Sequence, residues 1–282
     1  MLALLAKMFI FIDMWPLAYL KTMKLLNNVV YLLFLIAVTL VPNNSYADQD
    51  ERTEIIVGMG ARPPFLDIYG KVGAGPEILQ AMNLVQDKFR FKHKIVATKR
   101  KQQSFQELWV DISMWDNLNW GWQEFQVEAT IPIVEANDIF ISKHSPDSGK
   151  LFADLEQQKI VIVNGYHYHF LSYETDVNKI NQRFNVIQVR TEEAAIRMVE
   201  SGRATVAVVS DSSYYWYIKR KNLSDAVFDR APFVDASYTR HFVVPKSAPV
   251  AVTELNEILK SAHDKGLLLP IYKRYGLKLP NM

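Results

Sequence analysis

Short apolar runs alternate with segments of helical character along the chain, from about residue 54 to its end. Strands are predicted where apolar and β-branched residues cluster, at 55–58, 92–97, 109–114, 139–142, 160–163, 186–189, 205–209 and 241–244. Helices are predicted at 191–201, 252–263 and 267–275. Two more are predicted to start near Glu77 and near Tyr166, and residues 104–108 are predicted to be the last residues of another. This alternation predicts an α/β sheet with helices on its faces.

The stretch 54–79 combines a strand, a stiff loop and the start of a helix. The strand is followed by Pro63, Pro64 and Phe65, then by a polar turn and a glycine-rich segment that leads into the helix. Ligands of open α/β sheets bind at the carboxyl ends of the strands. We therefore predict that Phe65 offers a fixed apolar face to a ligand. The alternative is an ordinary strand–helix connection stiffened by proline.

The helix at 191–201 has clear boundaries in the sequence. Thr191 is a suitable N-cap, and Glu192 and Glu193 follow in the first turn, where the helix dipole favours negative charge. Gly202 is placed to end the helix.

Residues 1–47 have the pattern of a secretory leader. From Met23 the chain has a positive start, an apolar core at 29–41 that is short for a membrane span, and small residues before a predicted cleavage after Ala47. Our preferred interpretation is that Met23 is the true start of a cleaved signal peptide. The alternative is an uncleaved membrane anchor formed by the whole leader.

The composition narrows the class of protein. Cysteine is absent, so a lipoprotein anchor and disulfides are both excluded. The leader contains three lysines and Asp13, and removing them from 32 basic and 30 acidic residues leaves 29 of each. A near-neutral chain argues against nucleic acid or an anionic membrane as a partner.

The chain is predicted to form two lobes. A polar linker at 144–149 and a second crossing near Arg240 divide the alternating elements. The first lobe is then discontinuous, formed by 48–142 plus 245–282, and the second lobe is 143–244.

In order and spacing, the mature chain resembles the extracytoplasmic solute-binding proteins of family 3. The resemblance is carried by the strand–PPF–turn–helix stretch at 54–79, LFADLEQQKIVIVNG at 151–165, AAIRMVESGRATVAVVSD at 194–211 and RHFVVPKSAPVAVTELNEIL at 240–259. It implies a two-lobed, periplasmic-binding-protein-like α/β fold of type II, the venus flytrap, which closes about a hinge on a small molecule. It also implies a periplasmic monomer without a cofactor, serving an inner-membrane ABC permease or a membrane sensor.

The resemblance also indicates where the chain departs from amino-acid binders. In those relatives a T-x-E-R loop supplies an arginine that pairs with the ligand carboxylate. That position falls on Gln123 here, with no arginine nearby in the sequence. The same region carries Trp115, Trp120 and Trp122, which suggests a larger, flatter or cationic ligand held by stacking. Alternatively, these tryptophans pack the surface of the lobe.

Three further residues are candidates for contacting the ligand. Asp211 follows a predicted strand, where relatives use an aspartate to accept hydrogen bonds from a ligand ammonium; alternatively it caps the next helix. Tyr166 lies in a turn before a predicted helix, whose free N–H groups suit an anion. Arg62 precedes Pro63 and either replaces the missing arginine or is a surface charge.

No motif of a catalytic triad, zinc hydrolase or nucleotide loop is present, so we predict that the protein is not an enzyme. His167 and His169 are spaced i, i+2 and diverge on a helix, so no metal is predicted. A less favoured alternative is an enzyme resembling cyclohexadienyl dehydratase, with Glu124 or Asp211 as the acid. The favoured function is binding of a small amine-bearing, aromatic or amino-acid-like solute.

Overall fold

A computed structural model describes residues 51–281, which form one compact unit from Glu51 onwards. The predicted signal peptide, and the choice between Met1 and Met23, lie outside the described residues. Within 51–281, no helix is both long enough and apolar enough to cross a membrane.

Strands and helices alternate along most of the described chain. The strands are β1 (Thr53–Met59), β2 (Phe89–Ile95), β3 (Ile112–Asp116), β4 (Val127–Ala129), β5 (Val134–Lys143), β6 (Lys159–Val163), β7 (Asn185–Val189), β8 (Val206–Ser210) and β9 (Phe228–Pro245). The α-helices are α1 (Ala74–Leu84), α2 (Lys101–Gln106), α3 (Ser148–Ala153), α4 (Val177–Ile180), α5 (Glu192–Glu200), α6 (Asp211–Lys221), α7 (Val252–Asp264) and α8 (Leu268–Tyr275).

The strands form one mixed sheet in the order β2-β1-β3-β9-β5-β8-β6-β7, with β4 paired to β9. Pairing is parallel between β1 and each of β2 and β3, and between β6 and each of β7 and β8. The long central strands β5 and β9 run antiparallel to each other over most of their length. The predicted α/β class is confirmed.

The hydrophobic core is divided between the two ends of this sheet. Ile133, Val134 and Phe242 belong to the core around β1, α1, α7 and α8. Ile139 and Ile141 belong instead to the core around β6, α5 and α6. The chain therefore passes from one lobe to the other within β5 and within β9. The lobe boundaries predicted at 142/143 and 244/245 stay predictions.

Most predicted elements are found within a few residues of their expected positions, and the exceptions have local causes. Thr191 caps α5 by accepting a hydrogen bond from the Ala194 N–H at 3.2 Å. The helix predicted to start near Tyr166 is not formed, and only a short 3₁₀ turn at His169–Leu171 is present. There the hydroxyl of buried Tyr168 accepts a hydrogen bond from the Val163 N–H at 3.0 Å. That contact holds the segment against β6, so it does not continue as a helix.

The core of the first lobe includes the buried face of α7, which carries Leu255 and Leu259. We predict that Leu259→Ala lowers the free energy of unfolding by about 2–5 kcal/mol, because Leu259 is fully buried and its truncation leaves a cavity. Leu269→Ala is the matched control, since Leu269 is 47% exposed and its loss costs less than about 0.5 kcal/mol. Urea unfolding with an unchanged m-value measures both. Equal losses in the two variants would contradict this role for α7.

Candidate functional site

A cavity of about 740 Å³ lies at the carboxyl ends of the parallel strands, between the two lobes. The first lobe lines it with residues from 60–62, 95–102 and 114–121, and the second lobe with 164–167, Thr175 and 190–191. Asp138, Tyr238 and Arg240 complete the lining from the two strands that cross between the lobes. The cavity therefore lies where open α/β sheets hold their ligands.

A bulge in β3 builds one wall of the cavity. The register of β3 against β9 shifts between Met114 and Asp116, and Trp115 between them has a φ of 67°. An extra residue of this kind is released from the ladder and its side chain is re-aimed. The ring of Trp115 lies 4.5 Å from that of Phe65, and its Nε1–H is buried without a hydrogen-bond partner among the described residues.

Arg240 is the central cation of the site. Its guanidinium lies 4.8 Å from the ring centres of both Trp120 and Tyr238, and 5.6 Å from that of Phe65. It donates to the Trp115 carbonyl at 3.3 Å and to the Tyr238 hydroxyl at 2.8 Å, while its buried Nε has no partner in the described chain. No carboxylate in residues 51–281 forms an ion pair with it. Aromatic faces support this charge and leave donors for an anion.

Arg62 is a second cation of the cavity and bridges the lobes. Its Nη1–H donates to the Tyr166 hydroxyl at 2.8 Å, and its Nε lies 3.8 Å from the Glu192 carboxylate. Burial opposes its charge, but Tyr166 and Glu192 outweigh that effect and raise the pKa of Arg62. Glu192 is itself buried and accepts from the Ser213 hydroxyl at 2.7 Å. Arg62 is therefore held in place and stays charged.

Asp138 is the carboxyl group that lines the cavity. It lies on β5, is 6% exposed, and accepts a hydrogen bond from the Tyr238 hydroxyl at 2.7 Å. Burial raises the pKa of Asp138 to about 7, although Tyr238 and Arg240 act in the opposite direction. Arg240, Tyr238 and Asp138 thus form one chain of hydrogen bonds across β5 and β9.

Lys101 is neutralised by a buried partner. Its ammonium lies 2.7 Å from Asp116, which is fully buried and also accepts from the Ser113 hydroxyl at 3.0 Å. Burial raises the pKa of Asp116, but the ion pair with Lys101 outweighs it and the net shift is downward. The pair contributes little net charge to the cavity.

The structure brings together four of the predicted site residues in the cavity lining: Arg62, Trp115, Trp120 and Tyr166. Phe65 lies immediately behind Trp115 and is fully buried. It supports the wall of the cavity from behind.

Besides Phe65, three predicted residues lie outside the cavity lining. Trp122 packs in the core of the first lobe, 5.0 Å from the ring of Phe105, so it takes the packing role that the sequence left open. Gln123 is exposed. Asp211 accepts from the Asn137 amide at 2.9 Å, and the N-cap of α6 is Ser210. Glu124, the other candidate acid, is exposed.

Sequence reasoning missed Asp138, Tyr238 and Arg240. Tyr238 and Arg240 are two residues apart on one strand, so they share a face, and that spacing is a usable signal. Asp138 joins them only through the pairing of β5 with β9, which sequence spacing does not show. Within 51–281, no cluster of histidine and carboxylate side chains is arranged to hold a metal ion.

The raised pKa of Asp138 predicts a pH dependence of stability. Between its ordinary value of 3.8 and about 7, the folded protein keeps a proton on Asp138 that the unfolded chain has released. The free energy of unfolding therefore falls with rising pH in this window, by at most about 1.4 kcal/mol per unit from this group. We expect Asp138→Asn to remove that slope in urea titrations at successive pH values. The exposed Asp87→Asn is the control; a slope equal in Asp138→Asn and wild type would contradict the assignment.

No protein-family model and no curated protein matches the sequence. Solved structures do match. A histidine kinase sensor domain with similarity to periplasmic binding proteins has a TM-score of 0.64 at 17% identity, over 82% of this chain and 100% of that one. ArtJ from Geobacillus stearothermophilus, which binds arginine, lysine and histidine, has a TM-score of 0.61 at 20% identity, over 81% and 97%.

An ancestral amino acid-binding protein, a precursor of cyclohexadienyl dehydratase, has a TM-score of 0.60 at 19% identity. The match covers 79% of this chain and 95% of that protein. At these identities the likeness is one of fold. The chain has the two-lobed fold of the periplasmic amino-acid-binding proteins, as the sequence resemblance predicted.

Proposed function

We propose that the protein binds a small, carboxylate-bearing, amino-acid-like solute in the cleft between its lobes. The observation that carries this proposal is Arg240, a buried guanidinium that faces the cavity without a carboxylate partner in the described chain. Its planar fork of donors matches a carboxylate in geometry and charge. The arginine that the sequence lacked near Gln123 is thus supplied from a different strand.

The remainder of the cavity suits the rest of such a solute. The buried Nε1–H of Trp115 is a further donor for a carboxylate oxygen. Trp120 and Tyr166 provide aromatic faces for an apolar or planar part. A solute ammonium beside Asp138 would favour its ionised form, so this carboxyl replaces Asp211 as the proposed acceptor.

Capture takes place by closure of the lobes about β5 and β9. Arg62 of the first lobe meets Tyr166 and Glu192 of the second, and the Ser213 hydroxyl oxygen lies 3.1 Å from the Pro63 carbonyl oxygen. A solute held at the same time by Arg240 and by the second lobe stabilises the closed arrangement through its differential affinity. The proposed capture involves a single chain and no cofactor.

We further propose that the protein is a periplasmic monomer, exported by the leader at 1–47, that presents its solute to an ABC permease. The likeness to a histidine kinase sensor domain favours a second candidate, presentation of the solute to a membrane sensor. Solute uptake by cells with and without the gene separates the two. Loss of uptake supports import, whereas unchanged uptake with a lost transcriptional response supports sensing.

The binding function is tested by a thermal-shift screen of residues 48–282 against amino acids, amines, short peptides and aromatic acids. A solute at about 100 times its dissociation constant adds about 2.7 kcal/mol of stability. We expect carboxylate-bearing compounds to raise the melting temperature and the corresponding esters and carboxamides to leave it unchanged. If no carboxylate-bearing compound raised the melting temperature, the proposal would be contradicted.

Arg240→Gln is expected to weaken the binding of a carboxylate hit by about 100-fold, because it removes hydrogen bonds to a charged group. The carboxamide analogue, which lacks the charge, should bind wild type and variant equally weakly. Arg203→Gln is the control, since Arg203 is exposed outside the cavity. Arg240→Lys keeps the positive charge but lacks the planar fork of donors, so its affinity should lie between those of wild type and Arg240→Gln. Isothermal titration measures all three, and an unchanged affinity in Arg240→Gln would remove Arg240 from the site.

A further inference from the structure

We infer that the solute carries a second negative charge, held at the rim of the cleft by Lys99 and Arg190. This inference rests on the proposed function, because it concerns the far end of a solute whose first carboxylate is held by Arg240. It narrows the solute class to compounds with two anionic groups, such as amino dicarboxylates or phosphorylated amino acids.

Lys99 and Arg190 come from different lobes and flank the same turn. The turn is Asn164–Gly165, at the carboxyl end of β6. The Asn164 N–H donates to the Val189 carbonyl at 2.9 Å, so Arg190, the first residue after β7, adjoins the turn. From the first lobe, Lys99 reaches over Gly165, where its Cγ lies 3.0 Å from the position that a Cβ would take.

The space above Gly165 is used by this lysine. Gly165 has a φ of 82°, a backbone conformation that L side chains rarely adopt, and a Cβ there would press on the Lys99 side chain. The glycine thus lets the Lys99 stem cross from one lobe to the other at the cavity edge. Lys99 and Arg190 both line the cavity.

The charges that line the cavity do not balance. Five of the lining residues are positive: Arg62, Lys99, Lys101, Arg190 and Arg240. In the described chain, Glu192 offsets Arg62 and Asp116 offsets Lys101. Asp138 is separated from Arg240 by the Tyr238 hydroxyl and forms no ion pair with it, so Arg240 is left for the first carboxylate of the proposed solute. Lys99 and Arg190 are then the two positive groups of the lining that neither a described carboxylate nor that first carboxylate offsets.

A cleft lined by excess charge of one sign concentrates ligands of the opposite sign. Neither Lys99 nor Arg190 forms an ion pair within residues 51–281, and closure of the lobes places both beside one turn. Two like charges there oppose closure unless an anion lies between them. A singly charged amino acid satisfies Arg240 alone, whereas a dianion also relieves the repulsion at the rim.

The cavity volume is compatible with a dianionic solute that reaches from Arg240 to the rim. About 740 Å³ falls in the upper part of the range found for pockets of drug-sized ligands, so a solute that extends from Arg240 to the rim can be enclosed. The same excess of positive charge disfavours basic side chains. Despite the shared fold, we therefore expect this chain to reject the arginine, lysine and histidine that ArtJ binds.

The test compares matched probes on the full chain by isothermal titration. L-glutamate against L-glutamine isolates a second carboxylate, O-phospho-L-serine against L-serine isolates a phosphate, and L-arginine probes a basic side chain. We expect at least one dianion to bind about tenfold or more tightly than its neutral partner. Its affinity should also fall more steeply with added salt.

The rim is tested with the double variant Lys99→Ala/Arg190→Ala. It should weaken binding of the dianion about tenfold while the neutral partner stays within about twofold, since exposed charges contribute modestly and through the second anion only. Lys273→Ala/Arg203→Ala is the matched control, because both residues are exposed away from the cavity. Circular dichroism verifies that the variants fold.

The outcomes separate the two proposals. If glutamine and serine bind as tightly as their dianionic partners, or the rim variant leaves dianion affinity unchanged, the second anionic site is wrong while carboxylate capture stands. If arginine binds best, the rim inference is overturned. If no carboxylate binds and Arg240→Gln changes nothing, the proposed function itself fails, and this inference fails with it. The glutamate and phosphoserine arms decide which anionic group the rim accepts.

Discussion

The antiparallel pairing of β5 with β9 is the constraint on which the rest of the molecule depends. These two strands carry the chain between the lobes, and their backbone hydrogen bonds hold both ends of the sheet together. Side chains alternate along each strand, so the same pairing brings Asp138, Tyr238 and Arg240 to one face at the floor of the cleft. The crossing between the lobes and the floor of the cavity are therefore one structural feature.

The buried charge of Arg240 determines the chemistry of that floor. Burying a guanidinium beside a carboxylate would leave a closed ion pair, whereas here it is held by aromatic faces, a carbonyl and a hydroxyl. Removing a charge from water is costly unless its donors are satisfied. Under the proposed function, an anion in the cleft would complete this set of contacts, and the desolvation cost already present in the protein would then favour anionic solutes.

Much of the fold can be predicted from the sequence because strand and helix patterns are local. The cap at Thr191, the stop at Gly202 and the stiff loop before Phe65 each depend on a few adjacent residues. The residues that line the cavity are harder to predict. Trp120 and Trp122 differ by two positions, yet one lines the cleft and the other packs in the core. Asp138 and Arg240 are about a hundred residues apart, and only the register of paired strands brings them together.

The bulge at Trp115 has a consequence for how this protein can diverge. One residue supplies both the bend of the backbone and the aromatic wall of the cleft, and its left-handed conformation stores about 1–2 kcal/mol of strain. Few replacements preserve both properties, so the interior of the cleft is resistant to gradual change. Exposed rim positions such as Arg190 tolerate substitution with small effects on stability. New solute preferences are therefore expected to evolve from the rim inwards.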